Sequence, residues 1–293
     1  MLSQPPLVGV IGLGLLGTAV VERLLEQGFA VLGYDVDADR LESLQRLGGT
    51  PATDPKELCD TCETIVYSLP TSDVVASITK QISSSLRAGA TILDTTTGDP
   101  QQMIAIGEFL ADHETNYLEA NVAGSSSQLR EGTATVFLGG DAAVIDAAQP
   151  VLCAIAPTRM HLGPIGSASR FKLVHNLILG LHRAVLAEGL HFAESLGFSA
   201  TDTLEILRRT PAASTVMITK GDKMAARDYR VQAHLSQHLK DVRLILSEAE
   251  RVGSPVPLSE LHRELLEHAE SLGFGDADNS AIFEFYRADS SDD

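Results

Sequence analysis

The segment FKLVHNLILG, residues 171–180, sets Lys172, His175 and Asn176 among leucine, isoleucine and valine. On a helix, residues three and four apart share a face, so these polar groups form one patch on an otherwise apolar rod. A lysine there either lays its stem on apolar surface and carries its amine to water, or it does chemistry. Burial and a nearby positive charge bring a lysine's pKa down from about 10.4 toward neutrality, where it can take or return a hydroxyl proton. The residues alone leave these two readings level. Asn176, one turn on, can hold the amine or a substrate oxygen.

A second group is GLGLLG, with Gly12, Gly14 and Gly17 directly after the apolar run LVGVI. In a strand-to-helix turn the first glycine permits the tight bend, the second lets backbone approach a pyrophosphate, and the third lets helix pack on strand. About 20 residues on, the run AVLGYD ends in Asp35, where a carboxylate accepts hydrogen bonds from ribose hydroxyls and repels a 2′-phosphate. Arg40 has the reach to meet such a phosphate; Asp35 tips the expectation to NAD over NADP. The expected cofactor-binding set is Gly12, Leu13, Gly14, Leu15, Leu16, Gly17 and Asp35, with Leu69 and Pro70 after the run TIVYS.

These groups need elements to hold them. LVGVIG, AVLGYD, TIVYSL, ATILDT, NYLEANV, ATVFLGG and RMHLG read as strands, and LGTAVVERLLEQG as an amphipathic helix ending at Gly28. Alternation of strand and helix implies parallel βαβ units, an α/β Rossmann-type domain over residues 1–163. From residue 164 the pattern turns helical: a long run from Phe171, then TDTLEILRR, VQAHLSQHLKDVRLILSEAERVG and LSELHRELLEHAESLG, an all-helical domain over residues 164–293. The acidic tail ADSSDD is expected to be disordered.

Composition limits the partners. The 293 residues are 44% hydrophobic, and 39 Asp and Glu outweigh 22 Lys and Arg for a net charge of −17. That charge opposes binding to nucleic acid or an anionic membrane. No apolar run approaches the roughly 20 residues of a membrane span, and the start lacks the marks of a signal peptide, so a cytoplasmic address is expected. Three cysteines fit a reducing compartment. Cys59 and Cys62 in CDTC, in a connection leading into TIVYSL, lack the second pair a zinc site needs, so no metal is expected and a redox role has little support.

Taken together, the motifs resemble the β-hydroxyacid dehydrogenase family, which includes 3-hydroxyisobutyrate, tartronate semialdehyde and 6-phosphogluconate dehydrogenases. The likeness covers nearly the whole chain. GLGLLGTAVVERLLEQG is similar to the cofactor motif, DTTTGDP to the segment whose Thr97 would face the nicotinamide ribose, and GSASRFKLVHN to the catalytic segment. The resemblance thereby makes Lys172 the catalytic lysine and Asn176 its partner. It implies that Lys240 and Asp241 of HLKDVRLILSEAERVGSPVPL stand near the nicotinamide, the lysine on the cofactor and the aspartate on the substrate. GFGDADNSAIFEF resembles the C-terminal signature.

EANVAGSSSQLREGTATVFLGGD is similar to the substrate loop, usually Asp-Ala-Pro-Val-Ser-Gly-Gly, which makes Val122, Ala123, Gly124 and Ser125 the substrate-binding residues with Lys172, Asn176 and Asp241. Two departures stand out. Ala123 replaces the serine that helps bind the substrate carboxylate, and Ser125 replaces a glycine, so Ser125 or Ser126 is expected to restore the hydroxyl. His175 replaces a usual asparagine and is expected to be structural.

The resemblance implies an NAD-dependent oxidoreductase that interconverts a small 3-hydroxy acid and its semialdehyde, assembled as a homodimer or homotetramer through the helical domain. Two alternatives remain open: an aldehyde or imine reductase on the same scaffold, which the retained Lys172 opposes in the imine case, and a catalytically silent binding protein, which Ala123 keeps open.

Overall fold

The computed structural model describes residues 5–288, so the tail ADSSDD lies outside the described residues except for its first. By its contacts the chain divides into two units, Met1–Lys172 and Leu173–Asp293.

The first unit is built on one sheet of eight strands: β1 (Leu7–Ile11), β2 (Ala30–Tyr34), β3 (Thr50–Pro51), β4 (Thr64–Tyr67), β5 (Thr91–Asp94), β6 (Asn116–Ala123), β7 (Thr135–Gly139) and β8 (Thr158–His161). Their order is β3-β2-β1-β4-β5-β6-β7-β8, and every pair is parallel except β6 with β7. Every run read as a strand is one; only the two-residue β3, too short to carry a pattern, escaped. Helices α1 (Leu15–Glu26), α2 (Ala38–Leu47), α3 (Pro55–Thr61), α4 (Ser72–Ile82), α5 (Pro100–Ala111), α6 (Ser126–Arg130), α7 (Ala142–Ala147) and α8 (Gln149–Ile155) cover the sheet. Both faces are buried, which is why β1 reads as an unbroken apolar run rather than an alternating one. Val8, Val10 and Val66 pack with α1 and α8 in one cluster, and Ile65, Tyr67 and Ile92 pack with α3, α4 and α5 in another.

The long helix α9 (Ser167–Ser195) begins in the first unit and continues into the second, which holds α10 (Ala200–Leu207), α11 (Asp222–Ala226), α12 (Leu235–Val252) and α13 (Pro257–Ala269). Leu186, Leu190, Leu239, Val242, Leu266 and Phe283 form its core. Among the described residues this unit has no strand, only a bridge between His234 and Asp278. The architecture is thus a Rossmann-type domain followed by a helical domain.

Two local readings change. The helical pattern from Val231 starts only at Leu235, because the buried Asp278 carboxylate accepts from the N–H groups of Gln232 and Ala233 while also holding Lys220 at 2.8 Å. CDTC is not a connection: Cys59 sits in α3 and Cys62 at its end, both buried. Burial pushes the Cys59 thiol up to about 12 and raises Cys62 as well, so neither thiolate forms readily near neutral pH. No described helix is long and apolar enough to cross a membrane.

Candidate functional site

The glycine-rich turn joins β1 to α1. Gly12 has φ +94°, and a Cβ there would meet Ser68 O at 2.3 Å; a Cβ on Gly17 would meet Gly12 O at 1.9 Å. Both positions therefore exclude side chains, one by backbone conformation and one by packing. At Gly14 the only atom near a Cβ is Arg40 Nη1 at 3.6 Å, so backbone is approachable there. Gly14 is also the N-cap of α1 and offers no side-chain cap, and the first turn holds no acid. By contrast α2, α3, α4, α5, α6 and α7 are each capped by their own Asp, Thr or Ser. The turn thus leaves N–H groups and the positive end of a helix for an anion, which fits a diphosphate. Leu13 and Leu16 pack into the core beneath it, while Leu15 is exposed.

Asp35 follows β2 and is tied to this turn. Its Oδ2 accepts from Leu13 N (2.6 Å) and lies 3.3 Å from Arg40 Nη1; its Oδ1 accepts from Asp37 N (3.0 Å). The two oxygens of a carboxylate offer about four acceptor positions, so one remains for a ribose hydroxyl. Arg40, which also pairs with Asp37, offsets part of the carboxylate's charge. Asp35 therefore opposes a 2′-phosphate less strongly than a lone carboxylate would.

Further along the same sheet edge, Leu69 N donates to Thr96 Oγ1 (3.2 Å), which joins the loops after β4 and β5. Pro70 beside it is exposed and Thr97 half-buried. Asp94 ends β5 and holds this turn, accepting from Thr96 N and from Tyr117 Oη at 2.8 Å each; burial pushes its carboxyl up to about 6.

Strand β6 positions Lys172 from two points. The buried Glu119 carboxylate accepts from Gly166 N, Ala168 N, Ser169 N and Ser169 Oγ, and so caps the start of α9. A negative group there also suits the helix dipole. Three residues on from Ser169, Lys172 Nζ donates to Val122 O at 2.7 Å. Lys172 is 8% exposed, so its amine does not snorkel to water.

The loop after β6 is shaped by a cap. Ser125 Oγ accepts from Gln128 N (3.2 Å), Ser125 N donates to Gln128 Oε1 (2.9 Å), and Ser127 Oγ lies 2.8 Å from Ser125 Oγ. The Ser125 N–H is thus committed to the start of α6, and its Oγ accepts there while also meeting the Ser127 hydroxyl, either of which is the donor. Ala123 is half-buried and Gly124 exposed.

In the helical unit, the buried Asn176 donates from Nδ2 to Asp241 Oδ2 (2.8 Å), and its Oδ1 lies 3.0 Å from His175 Nδ1. A carboxylate only accepts, which fixes the amide orientation. His175 Nδ1 thus meets the amide of its neighbour. Lys240 Nζ is 3.0 Å from Asp241 Oδ1, a contact that counts as an ion pair without the alignment of a hydrogen bond. Sequence reasoning missed Asp94 and Glu119. Glu119 stood in the motif EANVAG, but its partners lie about 50 residues away and nothing local marks them. A cavity of about 280 Å³ lined by Leu138, Ile145, Arg159 and His161 lies at β7 and β8, with β4, β5 and β6 between it and β1.

Comparison with known proteins places this geometry. Residues 7–163 match the NAD binding domain of 6-phosphogluconate dehydrogenase, and residues 166–286 match a domain described as NAD-binding of NADP-dependent 3-hydroxyisobutyrate dehydrogenase. The cytokine-like nuclear factor N-PAC of Anopheles gambiae is 29% identical over 280 residues, 94% of this chain and 49% of that protein. This chain spans about half the length of the N-PAC relatives it matches. The 2-(hydroxymethyl)glutarate dehydrogenase of Eubacterium barkeri is 26% identical over 283 residues, 95% of this chain and 94% of that one. In fold, the chain is similar to the 3-hydroxyisobutyrate dehydrogenase of Salmonella typhimurium, with TM-score 0.89 at 22% identity over 95% of this chain and 99% of that one.

Proposed function

Since the chain belongs to the β-hydroxyacid dehydrogenase family, we propose that it interconverts a small 3-hydroxy acid and its semialdehyde, with Lys172 as the general acid and base and NAD(H) as the preferred cofactor. The observation that carries this reading is the buried Lys172 amine held on Val122 O, in the unit that also bears the uncapped glycine turn. A bound nicotinamide supplies or accepts the hydride; the remaining tasks fall to this chain. In oxidation Lys172 Nζ takes the hydroxyl proton, and in reduction it returns one to the carbonyl oxygen. The Val122 carbonyl fixes where that nitrogen sits. Asn176, locked by Asp241, offers its second Nδ2 hydrogen to a substrate oxygen.

We place the substrate carboxylate at the loop Val122–Ser125. Because Ser125 Oγ already serves its cap as an acceptor, backbone N–H groups are the donors assigned there. Gly12 to Gly17 with Asp35, Leu69, Pro70 and Thr97 are assigned to the nucleotide, and Lys240 and Asp241 keep the roles their motif implies. A homodimer is part of the proposal. It is supported by Val174, Ile178, Val185 and Phe192, spaced by four, seven and seven along α9 and each at least half exposed.

The test is a turnover screen of NADH and NADPH against short semialdehydes and cyclic imines. Semialdehyde reduction with NADH is the expected result. A preference of about tenfold or more for NADPH overturns the cofactor assignment and points to Arg40. Reduction of imines alone overturns the substrate class. Nucleotide binding with no turnover favours a binding protein, the reading that the half-length match to a nuclear factor supports.

A further inference from the structure

Asn121 lies on β6 with its side chain wholly buried. The substrate loop that this strand resembles usually carries proline at that position, so the strand itself does not call for an amide. Asn121 Nδ2 donates to Thr96 O at 2.7 Å, which fixes the orientation of the amide. Its Oδ1 is buried and has no partner in the chain. A buried acceptor left unpaired costs about as much as a lost hydrogen bond, so a bound molecule that brings a donor to it is favoured.

The surroundings say what that molecule is. Side chains alternate along a strand, so Asn121 shares a sheet face with Glu119, which caps α9, and with Ala123 of the substrate loop. Asn121 directly precedes Val122, whose carbonyl accepts from Lys172 Nζ. Thr96, whose carbonyl accepts from Asn121 Nδ2, is in the turn bound to Leu69. These neighbours, Thr96 after β5 and Val122 near the end of β6, lie at the carboxyl ends of the strands, the edge where a sheet of this kind holds a dinucleotide. The unpaired oxygen can only accept, so its partner must bring a donor. A substrate carboxylate has none, and the substrate hydroxyl is assigned to Lys172 and the nicotinamide ribose to Thr97; the carboxamide of a nicotinamide has two N–H groups.

We propose that Asn121 Oδ1 accepts a hydrogen bond from the nicotinamide carboxamide, and thereby selects for dinucleotides whose pyridine ring carries an N–H donor. This rests on the NAD(P) reading above, and the experiment separates the two. Dissociation constants are measured by calorimetry for NAD⁺, for 3-acetylpyridine adenine dinucleotide, which keeps the carbonyl but has no N–H, and for ADP-ribose, which has no pyridine. The wild type should bind NAD⁺ about five- to tenfold more tightly than the acetylpyridine analogue. Asn121→Ala and Asn121→Val, the second suited to a strand should the first not fold, should bind the two equally. Both variants should keep wild-type affinity for ADP-ribose. Equal affinities in the wild type, or a wild-type ratio retained in either folded variant, overturn the proposal. Failure of the wild type to bind ADP-ribose refutes the nucleotide reading instead.

Discussion

Replacing Lys172 separates a catalytic amine from one that merely packs. In Lys172→Ala the proton donor and acceptor disappear, and general acid–base catalysis contributes roughly 10²- to 10⁴-fold, so kcat should fall by that factor. Stability should change less. Val122 O loses its 2.7 Å donor, and an unpaired buried carbonyl costs about 1 to 3 kcal/mol. Relief from burying an ammonium group offsets part of that cost. Stopped-flow turnover of a semialdehyde with NADH, a fluorescence titration of NADH and thermal unfolding should be run on the same preparation. The expected result is a collapsed kcat with NADH affinity retained, because proton transfer belongs to the chemical step. Lys172→Arg should not rescue it, since a guanidinium does not give up its proton near neutrality. A folded Lys172→Ala protein with wild-type kcat would refute the reasoning and leave the amine a structural role.

Ser125→Ala should cost about 1 kcal/mol through loss of the α6 cap while leaving KM for the acid nearly unchanged; unaltered unfolding with a raised KM would show that the hydroxyl serves substrate instead. His262 lies beside His238, and burial, followed by the nearby Arg183, pushes its pKa down from 6.5 to about 4. The unfolded chain thus binds the extra proton first, so His262 withdraws about 3 kcal/mol as pH falls from about 6.5 to about 4. Asp94, raised to about 6, acts with the opposite sign in nearly the same window, so the quantity to follow is the stability of wild type minus His262→Gln against pH. A pH-independent difference refutes it. Ile178→Glu with Val185→Glu should convert a dimer to monomer in sedimentation, and an unchanged assembly would move the interface off this face of α9.

The parallel strands and the glycine turn were legible in the sequence because their signals are local: unbroken apolar runs buried on both faces, and glycines forced by contacts within one turn. Lys172 and Asn176 were visible for the same reason, as polar residues one turn apart on an apolar helix. The acceptors around them were not, since hydrogen-bond partners far apart in the chain leave no local pattern. Glu119 caps a helix about 50 residues further on, Asp278 stops a helical pattern that would otherwise have begun at Val231, and Asp241 orients an amide 65 residues before it. Ser125 makes the converse point. Its type suggested a donor for substrate, and Gln128 three residues on signals a capping box, yet only the folded loop decides that its N–H is spent there and that its Oγ accepts there. Residue type states what a side chain can do; tertiary structure decides which of its hydrogen bonds are already made, because each partner satisfied inside the protein is one fewer for a ligand.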